Sequence, residues 1–221
     1  MSSDLRLFAD RYEAGVQLAR EVRKLQLQTP LRVLGLPRGG VPVAYEIARA
    51  LSAPLDVIVV RKIGLPGQSE LAIGAIAVGN IVVRLSPALS SEQIPFEQLA
   101  RQEQVELERR ERRYRTDMPP LNLTGSTVIL VDDGVATGCT MIAAARSARK
   151  ARARRIIVAT PVASAEAAAR VSQEADVFVA LEIPAHLRAI GEWYRDFAQV
   201  EDREVCSLLE RARDTASARS A

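Results

Sequence analysis

Two adjacent carboxylates and a loop of small residues form the segment of this chain that is best suited to chemistry. Asp132 and Asp133 follow the apolar run 128–131, and the loop 134–140 leads into a helical pattern. A helix N-terminus offers free backbone N–H groups and partial positive charge, which suit a phosphate group. Two carboxylates beside that phosphate could hold a diol, either directly or through a metal ion. The segment therefore predicts a site for a phosphorylated ligand with neighbouring hydroxyls.

Other well-known loop motifs do not fit these residues. A Walker loop has four residues between its glycines and then a lysine, whereas Gly134 and Gly138 enclose three residues and Cys139 follows. The G-x-G-x-x-G spacing of dinucleotide-binding loops is absent from every glycine cluster. The segment 67–71 resembles a nucleophile elbow but lacks its closing glycine.

The composition excludes further classes of site. His186 is the only histidine, which removes metal sites built on paired histidines, and we expect it to lie at the surface or in a hood without a catalytic duty. Cys139 and Cys206 are too few for a disulfide framework, so a reducing compartment is expected. Cys139 begins a helix, where a thiol pKa can be lowered, but we interpret it as a small residue tolerated there. No apolar run could span a bilayer and the N-terminus is polar, so we expect a cytoplasmic protein without a membrane partner.

The charged residues favour intramolecular pairing over nucleic-acid binding. The chain has a net charge of +3, and its basic residues cluster in segment 146–155. Such a cluster can contact phosphate backbones, but we interpret it as the end of a helix whose cations oppose the helix dipole. Segment 92–115 is a charged helix with acid-before-base pairs at i,i+4 spacing, such as Glu106–Arg110, and we interpret it as a solvated face.

The order of apolar runs predicts alternating strands and helices. Strands are expected at 31–36, 55–60, 127–131, 155–160 and 176–181, and helices at 5–26, 41–51, 92–115, 138–150 and 163–174. Residues 63–80 form a stretch punctuated by glycine, with a short strand near 71–78, and 81–85 is a further strand. This alternation predicts an α/β fold, a doubly wound and mostly parallel sheet flanked by helices, in a single domain over 1–221.

Three motifs in this order resemble those of type I phosphoribosyltransferases. Segment 128–141, VILVDDGVATGCTM, is similar to the family's signature for phosphoribosyl pyrophosphate (PRPP). Segment 36–40 is similar to the pyrophosphate loop, and segment 61–67 to the Arg-Lys segment that precedes a mobile catalytic loop. Each motif follows a predicted strand, and together they cover about 33–160, so chance agreement is a poor explanation.

The resemblance assigns expected roles to individual residues. Asp132 and Asp133 would contact the ribose hydroxyls and help to hold Mg²⁺, and Arg61 and Lys62 would neutralise the leaving pyrophosphate. Residues expected to bind the 5′-phosphate are Gly134, Val135, Ala136, Thr137, Gly138, Cys139 and Thr140. Residues expected to bind pyrophosphate, with a cis peptide at Pro37–Arg38, are Pro37, Arg38, Gly39 and Gly40. Segment 63–80 would close over the reacting carbon and exclude water.

The acceptor is the least defined part of this interpretation. Ala136 stands where hypoxanthine- and guanine-type members carry an aspartate, which argues against that substrate class and leaves the acid/base residue unassigned. Glu70 is a candidate for it, with an exposed loop glutamate as the alternative. The aromatic segment 193–197 could stack on a planar base or pack into the core, and a small hood is expected at about 182–210.

These observations lead to one main functional hypothesis and two alternatives. The main one is Mg²⁺-dependent transfer of a phosphoribosyl group from PRPP to a nitrogenous base, with release of pyrophosphate. A regulatory module of the same fold that binds PRPP or a nucleotide and acts on RNA or protein is the first alternative. An open basic face formed by 146–155 would favour it. An enzyme with a non-base amine acceptor is the second. The oligomeric state is open, and a homodimer is the commonest symmetric assembly.

Overall fold

The computed structural model describes residues 8–65, 68–84, 96–116, 118 and 121–220, with side chains left undescribed at 65–72 and 216–220. In chain order the elements are α1 (Arg11–Arg23), β1 (Leu31–Gly35), α2 (Gly40–Leu51), β2 (Leu55–Val57), β3 (Val60–Leu65), β4 (Gln68–Ala77), β5 (Ile81–Arg84), α3 (Phe96–Tyr114), β6 (Thr127–Val131), α4 (Cys139–Lys150), β7 (Arg155–Val162), α5 (Ala165–Val171), β8 (Val177–Glu182), a 3-10 helix (Ile190–Trp193) and α6 (Asp202–Ser220). None of the helices in this part of the chain has the length and apolarity that a bilayer span requires.

A parallel sheet of five strands in the order β2-β1-β6-β7-β8 forms the centre of the fold. Its middle strand β6 is buried throughout, as its continuous apolar sequence predicts. Ile129 and Val131 pack with α1, α2 and α6 on one face, whereas Val128 and Leu130 pack with α4 and α5 on the other. Because successive side chains of a strand point to opposite faces, this split places helices on both sides of the sheet. The predicted doubly wound α/β fold is confirmed.

The five predicted helices correspond to α1–α5, whose described limits lie close to the predicted ones, whereas α6 is not predicted. The predicted start of α3 at residue 92 lies outside the described residues. α1 begins at the N-cap residue Asp10, whose side chain accepts a hydrogen bond from the backbone N–H of Glu13. The predicted start at residue 5 lies outside the described residues. Ala14, Leu18 and Val22 form the buried stripe of α1, at the spacing that a helix packed on one face requires.

The prediction of a single strand over 55–60 is wrong, whereas the strands predicted near 71–78 and at 81–85 correspond to β4 and β5. Within 55–60 only β2 joins the parallel sheet, by pairing with β1, and at Val60 the chain enters a separate antiparallel sheet of β3, β4 and β5. The glycines of this stretch mark close packing: a side chain at Gly74 would overlap the carbonyl oxygen of Val83 and the ring of Phe96. Glycine in a strand often marks such close approach, so its frequency alone does not indicate a loop.

The segment after β8 returns to the carboxyl end of the parallel sheet. Trp193 and Tyr194 are buried in a small cluster with Phe8 and Val162. Phe197 is more exposed and stacks on Tyr194, with ring centroids 4.9 Å apart. Two of the three aromatic residues of segment 193–197 therefore serve packing. The hood boundaries near 182 and 210 stay a prediction.

Candidate functional site

The candidate site lies at the topological switch point of the parallel sheet. β1 and β6 are neighbours, but the chain leaves β1 toward β2 and leaves β6 toward β7 on the opposite side. Ligands of open α/β sheets bind in the crevice outside the carboxyl ends of strands at such a point. A cavity of about 320 Å³ occupies this crevice. Its lining consists of Leu36, Pro37, Val60, Arg61, Lys62, Arg110, Asp132, Asp133, Gly134, Val135, Ala136, Thr137, Gly138, Thr140 and Ile190.

The two carboxylates at the end of β6 have different partners. Oδ1 of Asp132 accepts a hydrogen bond from the backbone N–H of Asp133 at 3.0 Å. Oδ2 of Asp133 accepts one from Nε of Arg11 at 2.7 Å, and both side chains of this ion pair are largely buried. Arg11 also donates from Nη1 to the carbonyl oxygen of Ala198 and lies over the ring of Phe197, 3.8 Å from its centroid. Asp133 is therefore held in place, and Asp132 is the carboxylate with the fewer restraints.

Burial and mutual repulsion act on this acid pair. Burial raises the pKa of the Asp132 carboxyl well above its ordinary value, and the neighbouring Asp133 raises it further. Burial also raises the pKa of Asp133, while the Arg11 guanidinium opposes that rise. Two neighbouring carboxylates in a partly buried site favour a bound cation, because a cation offsets their repulsion.

The residues present fit a magnesium ion that the substrate helps to coordinate. Mg²⁺ prefers oxygen ligands and is commonly bound by one or two carboxylates together with substrate phosphates. Asp132 and Asp133 offer such oxygens at the cavity wall. Among the described residues there is no cluster of three or more His, Cys, Asp and Glu side chains that could hold a metal ion by itself. Substrate oxygens and water would complete the coordination of an ion bound here.

The loop after the acids leads directly into α4. The backbone N–H of Val135 donates to the carbonyl oxygen of Val162, which ties the loop to the end of β7. Arg170 donates to the carbonyl oxygen of Thr137. Gly138, immediately before α4, has a φ of +78°, a conformation that favours glycine. The loop and the N-terminus of α4 therefore form a fixed turn at the cavity.

The loop after β1 packs against the acid pair. The Pro37–Arg38 peptide bond is cis, which confirms the expectation. A side chain at Gly39 would overlap the carboxylate of Asp133, so only glycine permits this approach. Gly40 begins α2, and its N–H donates to the carbonyl oxygen of Leu36 at 3.0 Å.

A second cavity, of about 510 Å³, adjoins the first. Its lining consists of Arg11, Arg38, Gly39, Arg61, Arg110, Asp133, Phe197, Gln199 and Val200. Arg61 reaches it from β3 and ion-pairs with Glu103 of α3 through Nε and Nη2, at 2.8 and 2.7 Å. Four arginines on this wall make the region suited to anionic groups.

The comparisons with known proteins assign the chain to a family. A family model described as the phosphoribosyl transferase domain matches residues 10–193. The chain belongs to this family. A Mycobacterium tuberculosis protein named "Putative phosphoribosyl transferase Rv0571c" is 43% identical over 218 residues, which is 97% of this chain and 49% of that protein. The chain thus spans about half the length of the curated relatives it matches.

Two solved structures are similar to this chain in fold. The crystal structure of TT1426 from Thermus thermophilus has a TM-score of 0.78 and 42% identity, and the match covers 93% of this chain and 98% of that one. A hypothetical protein from Neisseria gonorrhoeae with bound ppGpp has a TM-score of 0.50 and 13% identity, covering 96% and 100% of the two chains. At that identity the second likeness concerns the fold alone.

The structure brings most of the residues predicted from the phosphoribosyl transferase motifs to the two adjoining cavities. Three predicted residues do not line either cavity in the described structure. Cys139 is buried in the core, and its side chain does not line either cavity, although its backbone belongs to the loop. Gly40 is buried at the start of α2. Glu70 lies in β4, but its side chain is outside the described part of the chain, so its role stays a prediction.

The set of predicted site residues does not include Arg11, Arg110, Ile190 or Tyr194. Arg11 binds Asp133 from α1, and Arg110 lines both cavities from α3. Ile190 packs on Gly134, and the hydroxyl of Tyr194 donates to the carbonyl oxygen of Asp133 at 2.5 Å. None of the four lies in a motif. The aromatic segment 193–197 was the only signal that pointed to any of them.

The basic cluster 146–155 contains the end of α4, with Arg149 and Lys150 in the last turn just before β7, as the helix-terminus interpretation predicts. Five of its basic side chains are also bound within the chain. Arg146 ion-pairs with Glu174 at 2.5 Å, and Arg149 with Asp176 at 3.0 Å. The other hydrogen bonds from this cluster join Lys150, Arg154 and Arg155 to the carbonyl oxygens of Gly79, Thr29 and Gln26, respectively. These contacts attach the end of α4 to neighbouring loops. His186 is exposed, in agreement with its expected place at the surface.

Proposed function

We propose that this chain catalyses Mg²⁺-dependent transfer of a phosphoribosyl group from PRPP to a nitrogenous base, with release of pyrophosphate. The single observation that carries the proposal is the meeting of two loops and strand β3 at one crevice. The loop 134–140, the cis peptide at Pro37–Arg38 and the basic pair Arg61 and Lys62 all border the same acid pair. Family membership supports phosphoribosyl transfer in general. These residues support the more specific reaction with PRPP, Mg²⁺ and a nitrogenous base.

The loop 134–140 would bind the 5′-phosphate of PRPP. A phosphate dianion gains from backbone N–H donors and from the positive end of the α4 dipole. Anchoring the loop to Val162 and Arg170 fixes those donors before the ligand arrives. Binding at this remote end positions the ribose, so the acceptor can meet its C1 in a productive orientation.

The acid pair would hold the ribose hydroxyls and the magnesium ion. Asp132 and Asp133 would ligate the ion, which when bound would polarise and neutralise the pyrophosphate oxygens. Arg11 keeps the Asp133 carboxylate in one orientation. Asp132, with fewer restraints, is then the carboxylate able to adjust to the ribose hydroxyls.

The reaction itself needs little covalent help from the protein. The bond between C1 and the pyrophosphate oxygen breaks, its electron pair leaves with pyrophosphate, and a bond from the acceptor nitrogen to C1 forms. Arg38, Arg61 and Lys62 would balance the charge that develops on the leaving group. The acceptor proton needs a base, for which Glu70 is the candidate.

The regulatory alternative has less support. An open basic face on 146–155 would favour it, but two arginines of that cluster ion-pair with Glu174 and Asp176. Three further basic residues of the cluster are bound to backbone carbonyls. The acid pair Asp132 and Asp133 lines the same cavity as Arg61 and Lys62, and this combination favours the enzyme.

The proposal is tested by measuring pyrophosphate release from PRPP and Mg²⁺ in the presence of a panel of purines, pyrimidines and simple amines. We expect release that depends on one class of acceptor and stops when Mg²⁺ is removed with EDTA. Turnover with simple amines alone would contradict transfer to a nitrogenous base and favour the alternative with a non-base amine acceptor. Measurable PRPP binding without turnover on any acceptor would contradict the enzymatic proposal and favour the regulatory module.

A further inference from the structure

Arg110 of α3 lies at the junction of the two cavities. Asp133, Arg61 and Arg110 are the residues that line both of them. Arg110 comes from a helix that contains none of the three motifs, and its side chain is 21% exposed. It therefore brings a positive charge to the crevice from an element that neither the motifs nor the helix pattern connected with the site.

The packing of α3 fixes where Arg110 points. Leu107 and Tyr114 of the same helix are buried in the core, one on each side of Arg110 along the chain. The hydroxyl of Tyr114 also donates to Oδ1 of Asp202 at 2.6 Å, which ties the end of α3 to the start of α6. An arginine between two anchored residues is held on the buried side of the helix.

The acids around Arg110 do not balance the arginines there. Within the described ion pairs, Glu106 binds both Arg109 and Arg110, at 2.7 and 2.8 Å. Asp202 likewise lies 3.8 Å from Arg38 and 3.2 Å from Arg113. Two carboxylates thus serve four guanidinium groups. Of these four arginines, Arg38 and Arg110 line the second cavity, where guanidinium groups suit an anionic ligand.

We propose that Arg110 contacts the pyrophosphate group of the substrate and stabilises its charge as it leaves. This inference rests on the proposed function and adds a catalytic residue to it. When the bond from C1 to the pyrophosphate oxygen breaks, the electron pair moves to that oxygen and negative charge grows there. Arg110 and Arg61 would meet this charge from two separate elements, α3 and β3. Glu106 orients the Arg110 guanidinium, which still lines both cavities.

Arg109 provides a matched control for this residue. Both arginines belong to α3 and both pair with Glu106, but Arg109 lines neither cavity and its side chain is 50% exposed. The experiment measures binding of inorganic pyrophosphate with Mg²⁺ by isothermal titration calorimetry to the wild type, Arg110→Gln, Arg110→Lys and Arg109→Gln. Circular dichroism and thermal unfolding of each variant establish that it is folded.

The expected result is a selective loss. Arg110→Gln should weaken pyrophosphate binding by about tenfold or more, because it removes a charged hydrogen bond to an anion. Arg109→Gln should change it by less than about twofold, since exposed pairs contribute little. Arg110→Lys should recover part of the affinity, because it keeps the charge and loses the planar fork.

Two outcomes would overturn the inference, and only the second would also contradict the proposed function. In the first, the wild type binds pyrophosphate, and Arg110→Gln and Arg109→Gln have equal effects or none. This result would contradict the role of Arg110 but not the proposed function. Absence of pyrophosphate binding by the wild type would remove the proposed function together with the role of Arg110.

Discussion

The residues at the end of β6 and the start of α4 show how burial decides reactivity. Cys139 follows Gly138 at the N-terminus of α4, where a helix dipole can lower a thiol pKa. In this fold its side chain is fully buried, and burial raises its pKa to about 11 although nearby cations such as Arg170 oppose the rise. The interpretation of Cys139 as a small packing residue is therefore supported, and a nucleophilic role is not.

Thiol labelling tests this difference between the two cysteines. With a pKa of about 11, Cys139 stays protonated at pH 8 in about 99.9% of molecules, since each unit below the pKa is tenfold. Cys206 is partly exposed. We expect N-ethylmaleimide to modify Cys206 in the native protein and Cys139 only after denaturation, as read by peptide mass spectrometry. Equal native labelling of both would mean that Cys139 is not buried.

At the level of elements, α1 and α3 do more for the site than the sequence suggests. α1 packs on the parallel sheet and also delivers Arg11 to Asp133. α3 delivers Arg110 to the cavities and Glu103 to Arg61. Tyr194, from the segment after the 3-10 helix, donates to the backbone of Asp133. The acid pair is thus fixed by elements distant in sequence.

The ion pair between Arg11 and Asp133 should contribute to stability as well as to position. Its side chains are 10% and 13% exposed. Removing one partner of such a pair leaves a buried charge, so we expect Arg11→Ala to lower the free energy of unfolding by about 3 kcal/mol. Arg20→Ala changes an exposed arginine of the same helix and should cost less than about 0.5 kcal/mol. Urea unfolding of both variants measures this contrast, and equal losses would contradict it.

The motif residues could be predicted from the sequence because their function depends on local order. A strand, two acids and a small-residue loop must be contiguous to place Asp132 and Asp133 beside a helix N-terminus, and the parallel sheet follows from apolar runs such as β6. Arg11 and Arg110 lie in no motif. The sequence of a helix does not distinguish an arginine that faces solvent from one that contacts another element. The i,i+4 pair of Glu106 and Arg110 is real, but it forms beside a cavity.

The sequence predicts β4 and β5 as strands but reveals neither β3 nor the separate antiparallel sheet, for a related reason. Its glycines allow backbone and rings to approach, as Val83 and Phe96 approach Gly74, and the same composition is typical of loops. The sequence of β4 alone does not reveal which partner strand lies beside it. In the structure β4 pairs with β3 and β5, and this sheet packs against α4, whose Ser147 donates to the carbonyl oxygen of Val78.

In the molecule as a whole, the sheet order creates one crevice and the surrounding elements supply its charges. Acids come from β6, cations come from α1, β3, α3 and the loop after β1, and the phosphate loop leads into α4. The separate antiparallel sheet carries Arg61 and Lys62 to that crevice. Binding of PRPP by this combination is the central claim of the proposed function.

The most direct test is the affinity of the chain for PRPP in the presence of Mg²⁺, measured by isothermal titration calorimetry. The variants are Asp132→Asn combined with Asp133→Asn, and Asp214→Asn as a control on an exposed position of α6. We predict that the wild type and the control bind PRPP alike and that the double variant binds it at least about tenfold more weakly, because two charged ligands of the ribose and metal are lost. Unchanged affinity of the double variant, or no PRPP binding by the wild type, would contradict the assignment of this crevice.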